Sequence, residues 1–383
     1  MSSGRGWGLT PVQSTVGSPA WVRRALLGVT LALVLFGLLS VYSASSFEAA
    51  QAGLSGSHFF VSQLQRAVVG IGLLVALAFV DYDLYRRFAW IILVCVVPLL
   101  LLVLVPWTGE IAPVRNGARR WLELGPLTVQ PSELAKVALV MWTAALAARK
   151  QNRLGSFRQG LLPILLVAAP VLLLVLAEPH LSATLITAAL VGLVLFAAGA
   201  RLRHFALLAA PALPLLWFQV KTSGYQLQRV LAFLDPQGDV TGAGYQLTQA
   251  SIAIGSGRLL GVGFGRSTQK LYYLPEPQND FIFPIIAEEW GFIGALGLVL
   301  LFLVWTLLGL RIAAAAPDLY GRLLAIGLTG IIAIGAFGHM GVTMGVLPTT
   351  GVSLPFISAG GTGLVIALGV TGILLNVASK RRC

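Results

Sequence analysis

Lys270-Leu-Tyr-Tyr-Leu-Pro-Glu-Pro-Gln-Asn-Asp280-Phe-Ile-Phe-Pro-Ile-Ile-Ala-Glu-Glu-Trp-Gly291 is a polar loop that runs straight into a strongly apolar helix, with Asp280 on the seam. A carboxylate placed where hydrocarbon begins is either hydrogen-bonded or driven toward its neutral form, because desolvation raises its pKa. That is one way to make a general base. The plainer reading is that Asp280 caps a helix starting at Phe281 by accepting from its free backbone N–H groups. The two readings are compatible, and the rest of the chain decides how much weight the first one carries.

Of the 383 residues, 57% are hydrophobic and only 10% charged, and the mean hydropathy is +0.86. Such a chain is too apolar for an ordinary soluble domain and reads as an all-α polytopic membrane protein. A formal net charge of +12 would suggest nucleic acid in a soluble protein. Here it suits basic cytoplasmic loops facing anionic membrane lipids, so no nucleic-acid partner is expected. Two cysteines, Cys95 in an apolar run and Cys383 at the end, offer neither a disulfide framework nor metal spacing. The lone histidines His58, His204 and His339 have no partner at metal-ligand spacing either.

Residues 1–24 read as a disordered basic cytoplasmic tail, and the apolar run that follows, 25–41, as an uncleaved signal anchor. Further runs of spanning length lie near 60–80, 88–106, 132–149, 161–178, 183–199, 203–220, 281–310, 322–344 and 359–378. Ten transmembrane helices are therefore expected, forming one membrane domain over 25–378 with a cytoplasmic tail at 379–383. Arg23/Arg24, Arg86/Arg87, Arg149 to Arg158, Arg201/Arg203, Arg311/Arg322 and Lys380 to Arg382 all fall on one side, with both termini. That side is the cytoplasm. The large loop 221–279, between helices 7 and 8, is then extracytoplasmic, and its length marks it as more than a connection.

Several polar groups break the pattern. Arg115, Arg119 and Arg120 stand in an outer loop against the orientation bias, beside Trp121. Guanidinium forks bind phosphate bidentately, although lipid headgroups or nearby acids would also satisfy them. Pro131-Ser132-Glu133 opens a helix, and Lys136 shares a face with Glu133 inside an apolar run. The pair is either a structural ion pair or part of a polar cavity that receives substrate. Glu178-Pro-His180 forms a tight outer turn in which His180 reads as a turn residue more readily than as a base. In 345–362 two prolines and several glycines break helical structure at membrane depth, which is tolerated where backbone is buried in protein or lines a cavity.

Taken together, Asn116-Gly-Ala-Arg-Arg-Trp121, Gln130-Pro-Ser-Glu-Leu-Ala-Lys136, Gly244-Tyr-Gln-Leu-Thr-Gln249, Gln269-Lys-Leu-Tyr-Tyr-Leu-Pro-Glu276, Asp280-Phe-Ile-Phe283, Glu288-Glu-Trp-Gly291 and Pro348-Thr-Thr-Gly-Val-Ser-Leu-Pro-Phe-Ile-Ser-Ala-Gly-Gly361 resemble the SEDS family of shape, elongation, division and sporulation proteins. Gln269-Lys270-Leu271 looks more like its division branch than its elongation branch. The resemblance implies a glycosyltransferase of the bacterial cytoplasmic membrane, with its active site on the extracytoplasmic side, that polymerises lipid II into glycan strands. It implies Asp280 as the catalytic residue, with Glu133 and Lys136 in the same cavity; from the residues themselves, Arg119, Arg120, Lys136 and Lys270 are candidate donors to the diphosphate, and Trp121, Ser132 and Ser358 are further candidate substrate-binding residues. It also implies a class B penicillin-binding protein as transpeptidase partner, alongside other membrane proteins of the division or elongation machinery. No cofactor is named by the residues, and a divalent cation at the diphosphate stays open. The chain departs from the family pattern at His180, His339 and Gly363, where Asp, Asn and Ser or Ala are usual.

On this reading Asp280 takes the proton from the 4-hydroxyl of an acceptor sugar that attacks the anomeric carbon of the lipid-linked donor. Two readings from other classes compete: a transporter that flips lipid II, and a non-catalytic scaffold. A transporter calls for charges near the bilayer midplane and an internal repeat, whereas here the acids cluster at the outer lip without a convincing repeat. A scaffold leaves Glu133 and Lys136 unexplained.

Overall fold

The computed structural model describes residues 20–380 except 106, 107, 110, 115–117, 126, 179, 237, 240, 241 and 272. Most of the expected tail at 1–24 and most of that at 379–383 lie outside the described residues. Each expected apolar run coincides with a helix. These are α1 (Ala20–Gln51), α2 (His58–Phe79), α3 (Tyr82–Leu104), α4 (Pro131–Arg149), α5 (Leu162–Ala177), α6 (Leu181–Ala197), α7 (Leu202–Thr222), α10 (Ile282–Ala315), α11 (Leu319–Thr343) and α12 (Gly361–Ser379). The long loop adds α8 (Gly224–Leu234) and α9 (Ala243–Ser256), and a hairpin of β1 (Leu122–Leu124) and β2 (Leu127–Val129) precedes α4.

Eight of the described helices are long and apolar enough to cross a membrane, which makes the chain a multi-pass membrane protein. Of the expected spans, α6 is shorter, at 17 residues, and α4 carries Glu133, Lys136 and Arg149. A charged α4 is affordable because it is enclosed: Ala138, Leu139, Val140 and Ala144 are buried among α3, α6 and α11. α2 packs along α12, α10 along α11 and α1 against both α2 and α10. The exception is α7, whose main packing partner is α8 and whose surface is almost wholly exposed.

One end of the bundle is tied by charge. Lys380, just past α12, reaches Asp81 at 2.6 Å and Asp83 at 2.5 Å in the α2–α3 turn. The Tyr82 hydroxyl donates to Asp318 at the start of α11, at 2.7 Å. These pairs are partly exposed and each contributes little by itself, but they bring the turns expected on the cytoplasmic side to a single end.

At the other end, α10 is two helical segments broken at Gly291, whose φ is 69°. The chain 258–263 fills the break. Val262 N donates to Glu288 O (2.9 Å), Gly263 N to Glu289 O (3.1 Å) and Phe292 N to Arg258 O (2.8 Å). A Cβ on Gly291 would fall 2.3 Å from Gly261 N, so only glycine allows both the left-handed backbone and the approach. The polar loop is thereby threaded into the helix that follows Asp280. The capping alternative fails: α10 begins at Ile282 after Phe281 with no side-chain cap.

Candidate active site

The loop end of the bundle encloses a cavity of about 410 Å³. Its wall is mostly apolar, with Leu185, Ile186, Val220, Val230, Ile334 and Val342, and is interrupted by Arg120, His180, Tyr225, Arg229 and the backbone of 348–352. The broken-helix segment therefore does line a cavity. Its backbone is satisfied by protein: the Ser358 hydroxyl donates to Asn279 O and accepts from Leu354 N, both at 2.8 Å, and Ala359 N donates to Gln278 O at 2.9 Å. Those bonds join the 345–362 segment to the residues just before Asp280.

Asp280 does not itself line the cavity but lies beside Gly351, which does: a Cβ on that glycine would stand 3.4 Å from Asp280 Oδ2. The side chain is half-buried and makes no hydrogen bond or ion pair to a described residue. Burial, together with the neighbouring Glu276 carboxylate, pushes its carboxyl up to about 6, against the pull of Arg229 and Arg120. Near neutral pH it is therefore mainly ionised yet basic enough to accept a proton, as a base working there requires.

The other expected residues divide. Arg120 stands on the cavity wall, half-buried, and its Nε donates to Glu178 O at 3.3 Å. Arg119 turns toward the end of α3, donating to Val105 O at 3.1 Å. Trp121 is half-buried ahead of β1 and is not among the cavity's lining residues. The hairpin sets the start of α4: Gln130 N donates to the Thr362 hydroxyl, which donates to Thr128 O. From there Lys136 Nζ reaches Glu133 Oε1 at 2.6 Å, on the shared face expected. This pair lines a separate hollow of about 30 Å³ that adjoins the large cavity through Ile186 and Val352. Ser132 is buried, and its hydroxyl has no partner among the described residues.

Two expected contacts are corrected. Lys270 is not on the cavity wall. It is buried in an ion pair with Glu289 at 2.7 Å and also donates to the Ser43 hydroxyl at 2.9 Å. Ser358 is buried and spends its hydroxyl on backbone, which makes it a structural link rather than a group presented to a ligand. In the reverse direction, sequence reading passed over Arg229 and Glu178. Arg229 lies four residues after Tyr225 on α8, and that spacing was the available signal.

His180 caps α6, its Nδ1 accepting from Ala183 N at 3.0 Å, and burial holds it down to about 3, so it lines the cavity as a neutral ring. Glu178 is fully buried, and neither carboxyl oxygen has a hydrogen-bond partner among the described residues. Burial pushes it up to about 8, so at neutral pH it is mostly protonated. Because the folded-state value lies above the ordinary 4.5, its contribution to stability is present below about 4.5 and is lost as pH rises through about 8. Glu178→Gln is expected to flatten that decline. In melting curves recorded from pH 5 to 9, the variant should melt above wild type at the alkaline end.

Among the described residues no three His, Cys, Asp or Glu side chains converge as metal ligands. No step is assigned to a divalent cation.

The sequence profile of the cell cycle protein family FtsW/RodA/SpoVE matches residues 23–383. Stage V sporulation protein E of Bacillus subtilis is 40% identical over 357 residues, covering 92% of this chain and 96% of that one. A probable peptidoglycan glycosyltransferase FtsW of Trichlorobacter lovleyi is 42% identical over 355 residues, covering 92% of each. Among solved structures, a chain from the work named "Structural coordination of polymerization and crosslinking by a peptidoglycan synthase complex" superposes with a TM-score of 0.75 at 28% identity, covering 92% of this chain and 96% of that one. The rod shape determining protein RodA of Thermus thermophilus superposes with a TM-score of 0.65 at 28% identity, covering 92% and 95%. With the match running from the first helix to the end of the chain, the protein belongs to the FtsW/RodA/SpoVE family, the SEDS proteins.

Proposed function

We propose that this protein is a peptidoglycan glycosyltransferase that polymerises lipid II and releases undecaprenyl pyrophosphate. The observation that carries the reading is the Asp280 carboxyl, half-buried and with no hydrogen bond to a described residue, beside Gly351 on the wall of a mostly apolar cavity that also presents Arg120. An apolar wall suits a polyprenyl chain, a guanidinium suits its diphosphate, and a carboxylate whose value is about 6 suits a sugar hydroxyl that must lose a proton. The fold shared with a chain of a peptidoglycan synthase complex and the relative named a probable peptidoglycan glycosyltransferase support the same activity.

Asp280 accepts the proton of the acceptor GlcNAc 4-hydroxyl as that oxygen bonds to the anomeric carbon of the donor MurNAc. The bond from that carbon to the diphosphate oxygen breaks, and inversion of the α-linked donor gives a β-1,4 bond. Negative charge develops on the departing diphosphate, so fixed cations are the main electrostatic aid. Arg120 is placed for this. Lys136, held by Glu133 behind Ile186 and Val352, adds its charge from the adjoining hollow.

Ten helices span the bacterial cytoplasmic membrane, with both termini in the cytoplasm and the cavity opening on the extracytoplasmic side. The partition of basic residues supports this, as does the gathering of the 178–186, 280 and 348–352 segments at the end opposite Lys380. The partner is a class B penicillin-binding protein, and the greater identity to division and sporulation relatives than to RodA favours the division branch.

Purified protein with its partner transpeptidase, given labelled lipid II and run on a gel, should produce a ladder of glycan strands. Transport of lipid II across vesicles without any ladder would replace this reading with the transporter.

A further inference from the structure

We propose that Arg229 is a further substrate-binding residue of the reaction above, its guanidinium gripping the diphosphate of the lipid-linked donor as it leaves. The inference rests on the polymerase reading and adds to it a residue outside the motifs that carried the family resemblance.

The argument starts from how the side chain is held. On α8, Tyr225 and Arg229 are four apart and share a face. The Arg229 guanidinium lies 4.5 Å from the Tyr225 ring centroid and donates one N–H to Thr349 O at 3.3 Å. Ring and carbonyl together fix the plane of the fork, leaving its other donors uncommitted. Thr349, Tyr225 and Arg229 all line the large cavity. No carboxylate among the described residues lies within ion-pair distance of Arg229.

The surroundings then say what it is for. Arg229 and Arg120 both line the cavity, and Arg229 is close enough to disfavour the charge on Arg120. The Asp280 carboxylate answers part of this charge, and a ligand with more than one negative charge would answer the rest. The remaining wall, with Leu185, Ile186, Val220, Val230, Ile334 and Val342, has room for hydrocarbon. A ligand that satisfies both halves is an amphiphile with a compact polyanionic head, and a polyprenyl diphosphate is one. Asp280 lies beside Gly351 of the same cavity wall, two residues from Thr349, which sets the base next to the chamber that would hold the leaving group.

The test uses the full chain in lipid nanodiscs with undecaprenyl diphosphate as the probe. This probe carries no sugar, so binding is read without turnover. Arg229→Ala is expected to bind it about 10- to 100-fold more weakly than wild type, to lose less toward undecaprenyl monophosphate and nothing toward undecaprenol. In lipid II polymerisation with the partner transpeptidase, kcat should fall by a similar factor with a smaller change in KM. Arg229→Lys should recover only part of either, because an ammonium cannot engage two oxygens in a fixed fork. An unchanged melting temperature shows that the variant folds, and Arg229→Gln stands in if Ala does not. Equal diphosphate binding by wild type and variant overturns the proposal, as does an equal loss toward monophosphate and diphosphate. A rise in KM alone would assign the guanidinium to the acceptor and overturn its role at the leaving group. If wild type makes no glycan at all, the polymerase reading fails, whereas the binding arm still judges Arg229.

Discussion

Asp280→Asn is expected to cut lipid II polymerisation about a hundred- to ten-thousand-fold while leaving the fold intact. The second half of that expectation follows from the contacts. Asp280 does not cap α10 and makes no hydrogen bond to a described residue, so the amide removes no structural partner. It is also nearly isosteric, and it relieves the cost of a charge held partly out of water. Asn variants should therefore melt at or slightly above the wild-type temperature, and loss of activity cannot be charged to misfolding. The pH dependence supplies a second readout. A base must be deprotonated to act, so polymerisation should rise with pH through about 6, the value to which burial and Glu276 raise the carboxyl. Glu276→Gln removes one of the two raising influences, and the acidic limb of the profile should move to lower pH. Near-normal polymerisation by a folded Asp280→Asn protein would remove Asp280 from the mechanism. An acidic limb unmoved by Glu276→Gln would mean that some other group sets it.

What could be read from the chain without coordinates followed the strength of the local signal. Apolar runs locate the helices because the bilayer imposes a length on them, and each expected run proved to be a helix. The Glu133–Lys136 pair was legible because helical geometry puts residues three apart on one face whatever surrounds them. Gly291 was not legible. It sits inside a continuous apolar stretch, and the break it makes is stabilised by residues 258–263, some 30 positions earlier in the chain. Nothing local announces which segment will dock there.

Arg229 and Lys270 show the same limit from two sides. Both are cations in the long 221–279 loop, and local spacing gives no reason to rank them. Lys270 belongs to a motif and so looked the better candidate, yet its neighbour in the structure is Glu289. Arg229 belongs to no motif and stands on the cavity wall. Long-range pairing decides which charge is consumed by the fold and which is left for a ligand, and that pairing is invisible to spacing rules. The division of labour within Glu288-Glu289 illustrates it. Glu288 accepts from the Ser267 hydroxyl (2.5 Å) and from Thr268 N and Oγ1 (3.0 and 2.9 Å), whereas Glu289 takes the lysine.

That assignment makes Lys270→Met the more disruptive change for stability. Lys270 and Glu289 are both buried, with Nζ 2.7 Å from Oε1. Ser43 completes the group, donating to Glu289 at 2.6 Å and accepting from Lys270 at 2.9 Å. Removing the ammonium leaves a buried carboxylate with only a hydroxyl to answer it, and breaking such a pair from one side costs about 3–5 kcal/mol. The single variant should show a large drop in melting temperature and poor accumulation in membranes. Replacing both members with apolar groups of similar size should recover most of the loss, since the uncompensated charge is gone. The double variant Lys270→Met/Glu289→Leu therefore separates two accounts of Lys270. If the lysine serves only to hold the 258–270 loop against α1 and α10, the double variant folds and polymerises lipid II at near the wild-type rate. If the ammonium reaches the diphosphate during turnover, the double variant folds and yet remains inactive, and the corrected placement of Lys270 is wrong for the working enzyme.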